Sequence, residues 1–410
     1  MRKVFISFLG TGNYSECEYV FNNASVKTKF IQEALLELFC KEFSGEDAVF
    51  LFLTEDAKNK TWENGLKDKI KDIGLLPEII TRDIPVGKSE DEIWEIFNAV
   101  YEVLKDNDSV ILDITHGFRS LPMLALVILN YARYMKNIIV KDIYYGAWEA
   151  RDTSTNKAPI FQLTQFYNLM QWTSAADTFV NYGISDKLQD IVWETANILD
   201  GTKPVAKAIS RITESMSTLR GSDIVEGEIF VSCIAKIDEL NSSGKAQAAF
   251  KPIISKVKEK IEVFREKDSM NFIYAVKWYI DHKMIPQALT MMQEGLLTWF
   301  MEKRKIDYHN RVHREYVAAY LQKIVAIKID PDVKFNFCED LTKMYEEWGF
   351  KADDNFFSRT AYIYGNVSNL RNDVNHGGFN IGATPYNSII QNVKKNYDKL
   401  EALCQEFSAS

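Results

Sequence analysis

Cysteine is scarce in this chain. Its 410 residues hold five, Cys17, Cys40, Cys233, Cys338 and Cys404, and no two stand as a CxxC pair. That spacing argues against a zinc knuckle and a disulfide framework and fits a reducing cytoplasm. Long hydrophobic runs are missing too: the longest apolar stretch is the thirteen residues between Arg119 and Arg133, too short to cross a bilayer. The opening MRKVFISFLG turns polar too soon for a signal peptide, so no membrane span and a cytoplasmic location are expected. Positive charge is not in surplus either. Lys and Arg number 49 against 57 Asp and Glu, a formal net charge of -8, so any contact with nucleic acid must be local rather than spread over the surface.

The chain does have length and apolar content, 46% hydrophobic over 410 residues, enough for two or three domains. Its first 150 residues alternate short β-branched and aromatic runs with longer amphipathic stretches. The predicted strands are KVFISFLG, DAVFLFLT, PEIITRDI, DSVILDIT and NIIVKDIYYGAW, each more apolar than alternating, as in strands buried on both faces. Helices are predicted near 27–43, 61–73, 89–105 and 120–136. The result is a repeated βα pattern and an open, doubly wound, mainly parallel sheet. From about Gln165 the chain reads as all-α, with Gly183, Gly201, Gly221, Gly227 and Gly244 as breaks and a looser connection between Leu199 and Glu228. The apolar helix IPQALTMMQEGLLTWFMEKRK has Pro286 in its first turn, and its Met, Leu, Trp and Phe stripe reads as core. The expected division is 1–165, 166–285 and 286–410.

In an open parallel sheet, ligands collect beyond the carboxyl ends of the strands. The loop after the first strand, FLGTGNYSE, contains Gly10, Thr11, Gly12 and Asn13; its glycines permit close backbone approach, and its amides could face phosphate oxygens. The fourth strand ends in LDITHGFRSLP, which sets Asp113, Thr115, His116, Gly117 and Arg119 just before a helix entrance, a place that attracts anions. The competing structural reading has Asp113 and Thr115 tying the turn while His116 packs on the sheet. A dinucleotide fold is the other competitor, but the third glycine of GxGxxG is missing.

DITHG, the glycine-rich turn and the later YYGA (Tyr144 to Ala147) together resemble the DxTHG-motif, CRISPR-associated proteins with a CARF domain. That resemblance covers about the first 165 residues. It implies a Rossmann-like domain that dimerises and binds a cyclic oligoadenylate, with Gly10 to Asn13 and Thr115 to Arg119 lining the site and Asp113 supporting the turn. Cyclic tetra-adenylate is the ring size the family suggests.

Near the other end lies LRNDVNHGG, with Arg371, Asn372 and His376. On a helix, positions five apart stand roughly 140° and 7.5 Å from each other, so Arg371 and His376 do not share a face. Asn372 does share one with His376, which would let its amide hold a ring nitrogen. Gly377 would end the helix. Histidine moves protons near neutral pH and arginine holds phosphate, a set suited to metal-free attack of a ribose 2′-hydroxyl on its own phosphodiester. One imidazole does not easily serve as both base and acid, whereas a two-fold dimer supplies two.

The segment resembles the Arg-polar-x-x-x-His motif of HEPN ribonucleases. With the upstream domain it implies a CRISPR-associated (type III) CARF-HEPN ribonuclease: a metal-independent endoribonuclease cutting single-stranded RNA, with no cofactor, cyclic oligoadenylate as activator, and a homodimer or larger homo-oligomer. Arg304 and His309 have the same spacing, which the bland reading assigns to chance. His309 and His313, four apart, have metal-like spacing but lack an HExxH glutamate, and His282 reads as structural. Two other functions stay open, a ligand-sensing regulator with a structural helical domain and a ring nuclease degrading its own activator.

Overall fold

The computed structural model describes residues 1–116, 121–195, 202–243, 249–329, 339–350, 354–379 and 382–408. The predicted Gly117 and Arg119, and the breaks at Gly201 and Gly244, lie outside the described residues. The chain forms two compact units, Met1–Asn168 and Leu169–Ser410.

The first unit is built on an eight-stranded sheet in the order β3-β2-β8-β7-β6-β1-β4-β5. The strands are β1 Lys3–Phe8, β2 Cys17–Phe21, β3 Ala24–Thr28, β4 Ala48–Leu53, β5 Ile79–Asp83, β6 Ser109–Asp113, β7 Ile139–Gly146 and β8 Lys157–Gln162. β7, β6, β1, β4 and β5 run parallel, as expected from the apolar runs. The interleaved helices are α1 Ile31–Phe39, α2 Glu55–Ala57, α3 Lys67–Ile73, α4 Glu90–Val103 and α5 Leu121–Lys136. They cover both faces: Val4, Ile6 and Phe8 pack with α4 and α5, while Phe5, Val49 and Leu51 pack with α1 and α3. Local chemistry sets the α4 start. Ser89 Oγ accepts from the Glu92 amide at 3.2 Å, and the Glu92 carboxylate accepts from the amides of Gly87 and Lys88, a reciprocal cap.

Three expectations need correction. The β2–β3 hairpin and β8 fall where no strand was predicted. Asn22, at φ +53°, turns the hairpin, and Lys27 and Thr28 pair as strand, so the helix predicted from 27 begins at Ile31. β8 contains Pro159, which cannot donate to a ladder and disguises it. β5 is not buried on both faces: it is an edge strand, and Thr81 to Asp83 are exposed.

The second unit is helical: α6 Thr164–Tyr182, begun in the first unit, then α7 Asp186–Thr195, α8 Thr202–Ser217, α9 Gly221–Glu226, α10 Glu228–Ser242, α11 Lys251–Ile261, α12 Asn271–Asp281, α13 Ile285–Lys303, α14 Arg311–Ile329, α15 Glu339–Glu347, α16 Asn355–Asn375 and α17 Tyr386–Ser408. One continuous apolar core runs from Trp172 to Cys404, so the stretches 166–285 and 286–410 share their interior. The looser connection expected between Leu199 and Glu228 is instead largely α8 and α9, with Val205, Ile209, Ile212 and Met216 buried. α13 is apolar on nearly every side and sits inside the bundle, as core helices do. Gly295 is required there, because a Cβ would come within 2.4 Å of the Phe272 ring. Among the described residues, no helix is long and apolar enough to cross a membrane.

Candidate functional site

β1 is the first strand of the chain, yet it lies centrally, with β4 on one side and β6 on the other. The winding direction therefore reverses between β1 and β6, and the loops leaving their carboxyl ends diverge around a crevice. Those loops are the two the sequence singled out. Ser7 pairs with Asp113 across the ladder, so residues 10–14 and 114–116 emerge side by side.

Asp113 is fully buried. Its Oδ2 accepts from Ser7 Oγ at 2.7 Å, and its Oδ1 accepts from the Thr115 amide at 2.9 Å. Gln32 of α1 donates to the same Oδ2 at 3.4 Å. Burial pushes the carboxyl above its ordinary range, partly offset by hydrogen bonds from Thr115 and Ser7 and by nearby His116. The Thr115 hydroxyl accepts from the Gly146 amide at 2.8 Å, which ties the end of β7, within YYGA, to the turn. Asp113 and Thr115 thus shape the loop from beneath.

On the other loop, Thr61 Oγ1 donates to the Gly10 carbonyl at 2.7 Å. Tyr14 folds back so that its hydroxyl accepts from the Gly12 amide at 3.2 Å, and its ring tilts against the His116 imidazole, centroids 4.8 Å apart. Gly10 lies beneath this contact: a Cβ there would be 2.2 Å from the Tyr14 oxygen and 3.1 Å from His116 Cγ. Burial holds His116 below the ordinary histidine value, against the pull of Asp113 and Glu149. Thr11, Gly12 and Asn13 are exposed at the rim. Of the predicted residues, Gly10, Thr11, Gly12, Asn13, Asp113, Thr115 and His116 are therefore brought together, while Gly117 and Arg119 lie outside the described residues. Tyr14, Ser7, Gln32 and Thr61 were not singled out by sequence reasoning. Ser7, a lone hydroxyl in an otherwise apolar strand, was the available signal.

The second predicted set closes α16. His376 is the residue on which the helix ends, its amide bonded to the Asn372 carbonyl at 2.9 Å, and Gly377 follows at φ +65°. Arg371 Nη1 donates to Gln293 Oε1 of α13 at 3.1 Å, and Gln293 Nε2 donates to the Tyr364 hydroxyl at 3.1 Å. Gln293 and Tyr364 are buried. Arg371 Nε is covered and has no hydrogen-bond partner among the described residues. His376 and Asn372 are exposed, and the expected side-chain bond between them is not made; their link is through the backbone. Asp373 accepts from the Thr384 amide at 3.0 Å. Bonds from Thr384, and then the nearby His376, hold its carboxyl below the usual range.

The equally spaced Arg304 and His309 differ in kind. Arg304 forms an ion pair with Asp354 at 2.8 Å and lies 4.2 Å over the Phe357 ring, fixing the start of α16. His309 rests on Tyr308, and His313 on Trp348. Among the described residues, no group of three or more His, Cys, Asp or Glu side chains could hold a metal ion. His282 contacts the Val180 carbonyl at 3.1 Å and packs on Trp278, a structural role.

Comparison with known proteins bears on the first site. Residues 4–149 match the family described as the CARF domain of the CRISPR system endoribonuclease Csx1; the N-terminal unit carries a CARF domain. Over 233 residues the chain is 27% identical to the CRISPR-associated protein MJ1674 of Methanocaldococcus jannaschii, a stretch covering 56% of this chain. The aligned stretch spans about a third, 35%, of that relative's length.

Proposed function

We propose that this chain is an endoribonuclease of antiviral CRISPR defence, switched on when a cyclic oligoadenylate, of which cyclic tetra-adenylate is the candidate, occupies its CARF domain. The sensing half of this reading is supported by the family match and by the crevice between β1 and β6. There the glycine loop leaves Thr11, Gly12 and Asn13 exposed, and a side chain at Gly10 would drive into Tyr14. Such a backbone-lined cradle suits a phosphate-rich ligand.

The cutting half rests on one observation: the end of α16 presents an anchored guanidinium and an exposed imidazole. Gln293 fixes one terminal nitrogen of Arg371, and the other has no partner among the described residues. His376 faces solvent at the helix end. In the proposed reaction an imidazole removes the proton of a ribose 2′-hydroxyl, and that oxygen attacks the adjacent phosphorus. The bond to the 5′-oxygen then breaks, and a second imidazole protonates the leaving oxygen, giving a 2′,3′-cyclic phosphate and a 5′-hydroxyl end. Arg371 balances the charge that builds on the phosphoryl oxygens. The second imidazole comes from a second copy of the chain, which makes the active unit a homodimer. Activation is a population shift: the ligand favours the cutting arrangement by the difference between its affinities for the two states.

The test is cleavage of labelled single-stranded RNA with and without cyclic tetra-adenylate. Cleavage that depends on the activator and disappears in His376→Ala supports the reading. Full activity in His376→Ala removes the assigned site.

A further inference from the structure

Aromatic side chains left in water carry information where they cluster. From Leu169 onward, the exposed aromatics among the described residues are Tyr182, Tyr362, Phe379 and Tyr386. All but Tyr182 lie on α16, in the turn after it or at the start of α17. Phe379, 95% exposed, follows His376 by three positions, and its ring folds back over Gly377, where a Cβ would lie 3.4 Å from it. Tyr386 opens α17, and the bond from the Thr384 amide to Asp373 holds that helix start beside the last turn of α16. Tyr362 shares a face of α16 with His376: positions 362, 366, 369, 373 and 376 repeat at intervals of four and three, spanning about 21 Å.

Lys399 of α17 lies 4.6 Å over the Tyr362 ring and donates to its hydroxyl at 3.4 Å. Bonds with Asn366 and Lys399, and the charges of Lys399 and Lys395, hold that hydroxyl below the ordinary tyrosine value. The acids of this strip are Asp373, held by the Thr384 amide, Glu406, paired with Arg359 at 2.6 Å, and Asp398, exposed one position before Lys399.

Exposed rings along a strip that also carries cations suit unpaired nucleotides, whose bases stack on the rings while ammonium groups meet the phosphates. Between the rings stand Asn366, Asn369 and Asn372 rather than aliphatic side chains. Their amides both donate and accept, which fits base edges, and they interrupt the continuous apolar surface that a second copy of the chain would cover.

We infer that Phe379, Tyr386 and Tyr362 form a stacking track that holds single-stranded RNA along α16 and leads it to His376, with Lys395 and Lys399 on its phosphates. The inference rests on the nuclease reading of α16 and adds how that site grips its substrate. The three rings position RNA and take no part in bond breaking.

The test is the affinity of the full-length chain, with cyclic tetra-adenylate present, for a fluorescent single strand of 2′-O-methyl RNA, which lacks the attacking hydroxyl. Loss of one stacked base should weaken binding roughly fivefold to 150-fold in Phe379→Ala, and Phe379→Trp, which keeps a ring, should restore it. Phe379 is almost wholly in solvent, so an unchanged Tm is expected. A fully paired duplex keeps its base faces covered and should bind the variant and the unaltered chain equally. Unchanged single-strand affinity in Phe379→Ala overturns the track. So does conversion of that variant to a monomer in sedimentation, which would make the strip a contact between copies. Cleavage in His376→Ala tests the nuclease reading apart from this: if that variant is inert while Phe379→Ala binds RNA like the unaltered chain, the track alone fails.

Discussion

Arg371 and Gln293 are joined across two helices: the guanidinium Nη1 donates to the glutamine Oε1 at 3.1 Å, and the same amide donates onward to the Tyr364 hydroxyl. Because Gln293 lies inside the bundle, its orientation is dictated by packing and passed to the arginine. Arg371 is therefore held from within the bundle, whereas Arg311 pairs with Glu315 at the exposed surface.

Gln293→Met keeps the apolar packing and removes the anchor. A hydrogen bond to a charged group is worth about 1.5–3 kcal/mol, so kcat for RNA cleavage should fall roughly ten- to a hundredfold, with KM changing less. Gln293→Glu, which can still accept from Arg371, should recover most of the rate. Equal kcat in the Met variant and the unaltered chain would show that the anchor does not matter.

Gly10→Ala should cost ligand affinity, because its methyl group would sit 2.2 Å from the Tyr14 oxygen. Tyr14→Phe removes that oxygen, so the double variant should bind cyclic tetra-adenylate better than Gly10→Ala alone. Calorimetric titration of the four proteins measures this coupling. Strict additivity would mean that Tyr14 is not what Gly10 must avoid.

His116 gives a pH dependence of stability. Burial holds its folded value below 6.5, so as pH falls through that point the unfolded chain takes up a proton first and the fold loses stability. Asp113 works in the opposite sense: its raised value adds stability at low pH, which is lost as pH rises through the folded value. In thermal melts at about pH 7.5 and about pH 6, His116→Asn should lose less Tm on acidification than the unaltered chain. Parallel losses would contradict the assignment.

The sequence showed the parallel core of the sheet because β1, β4 and β6 are continuous apolar runs, and it showed both loops because glycine, histidine and aspartate stood out against that background. The β2–β3 hairpin and β8 were hidden for lack of such a run: CEYVF and ASVKT are short and half polar, and Pro159 interrupts β8. Gln293 was visible only as one polar residue in an apolar helix, and nothing local connected it to a residue 78 positions away.

If each cut needs an imidazole from both copies, inactive chains should poison active ones. Reassociating equal amounts of the unaltered chain and His376→Ala should leave about a quarter of the activity, because only pairs with two intact histidines cut. Half the activity would mean that each copy cuts alone.

The most direct measurement of the central claim is RNA cleavage and cyclic tetra-adenylate binding followed together in the unaltered chain and in His376→Ala. The account predicts activator-dependent cleavage in the first, loss of at least a hundredfold in the second, and the same activator affinity in both. Cleavage by His376→Ala at the unaltered rate, or cleavage indifferent to the activator, would contradict it.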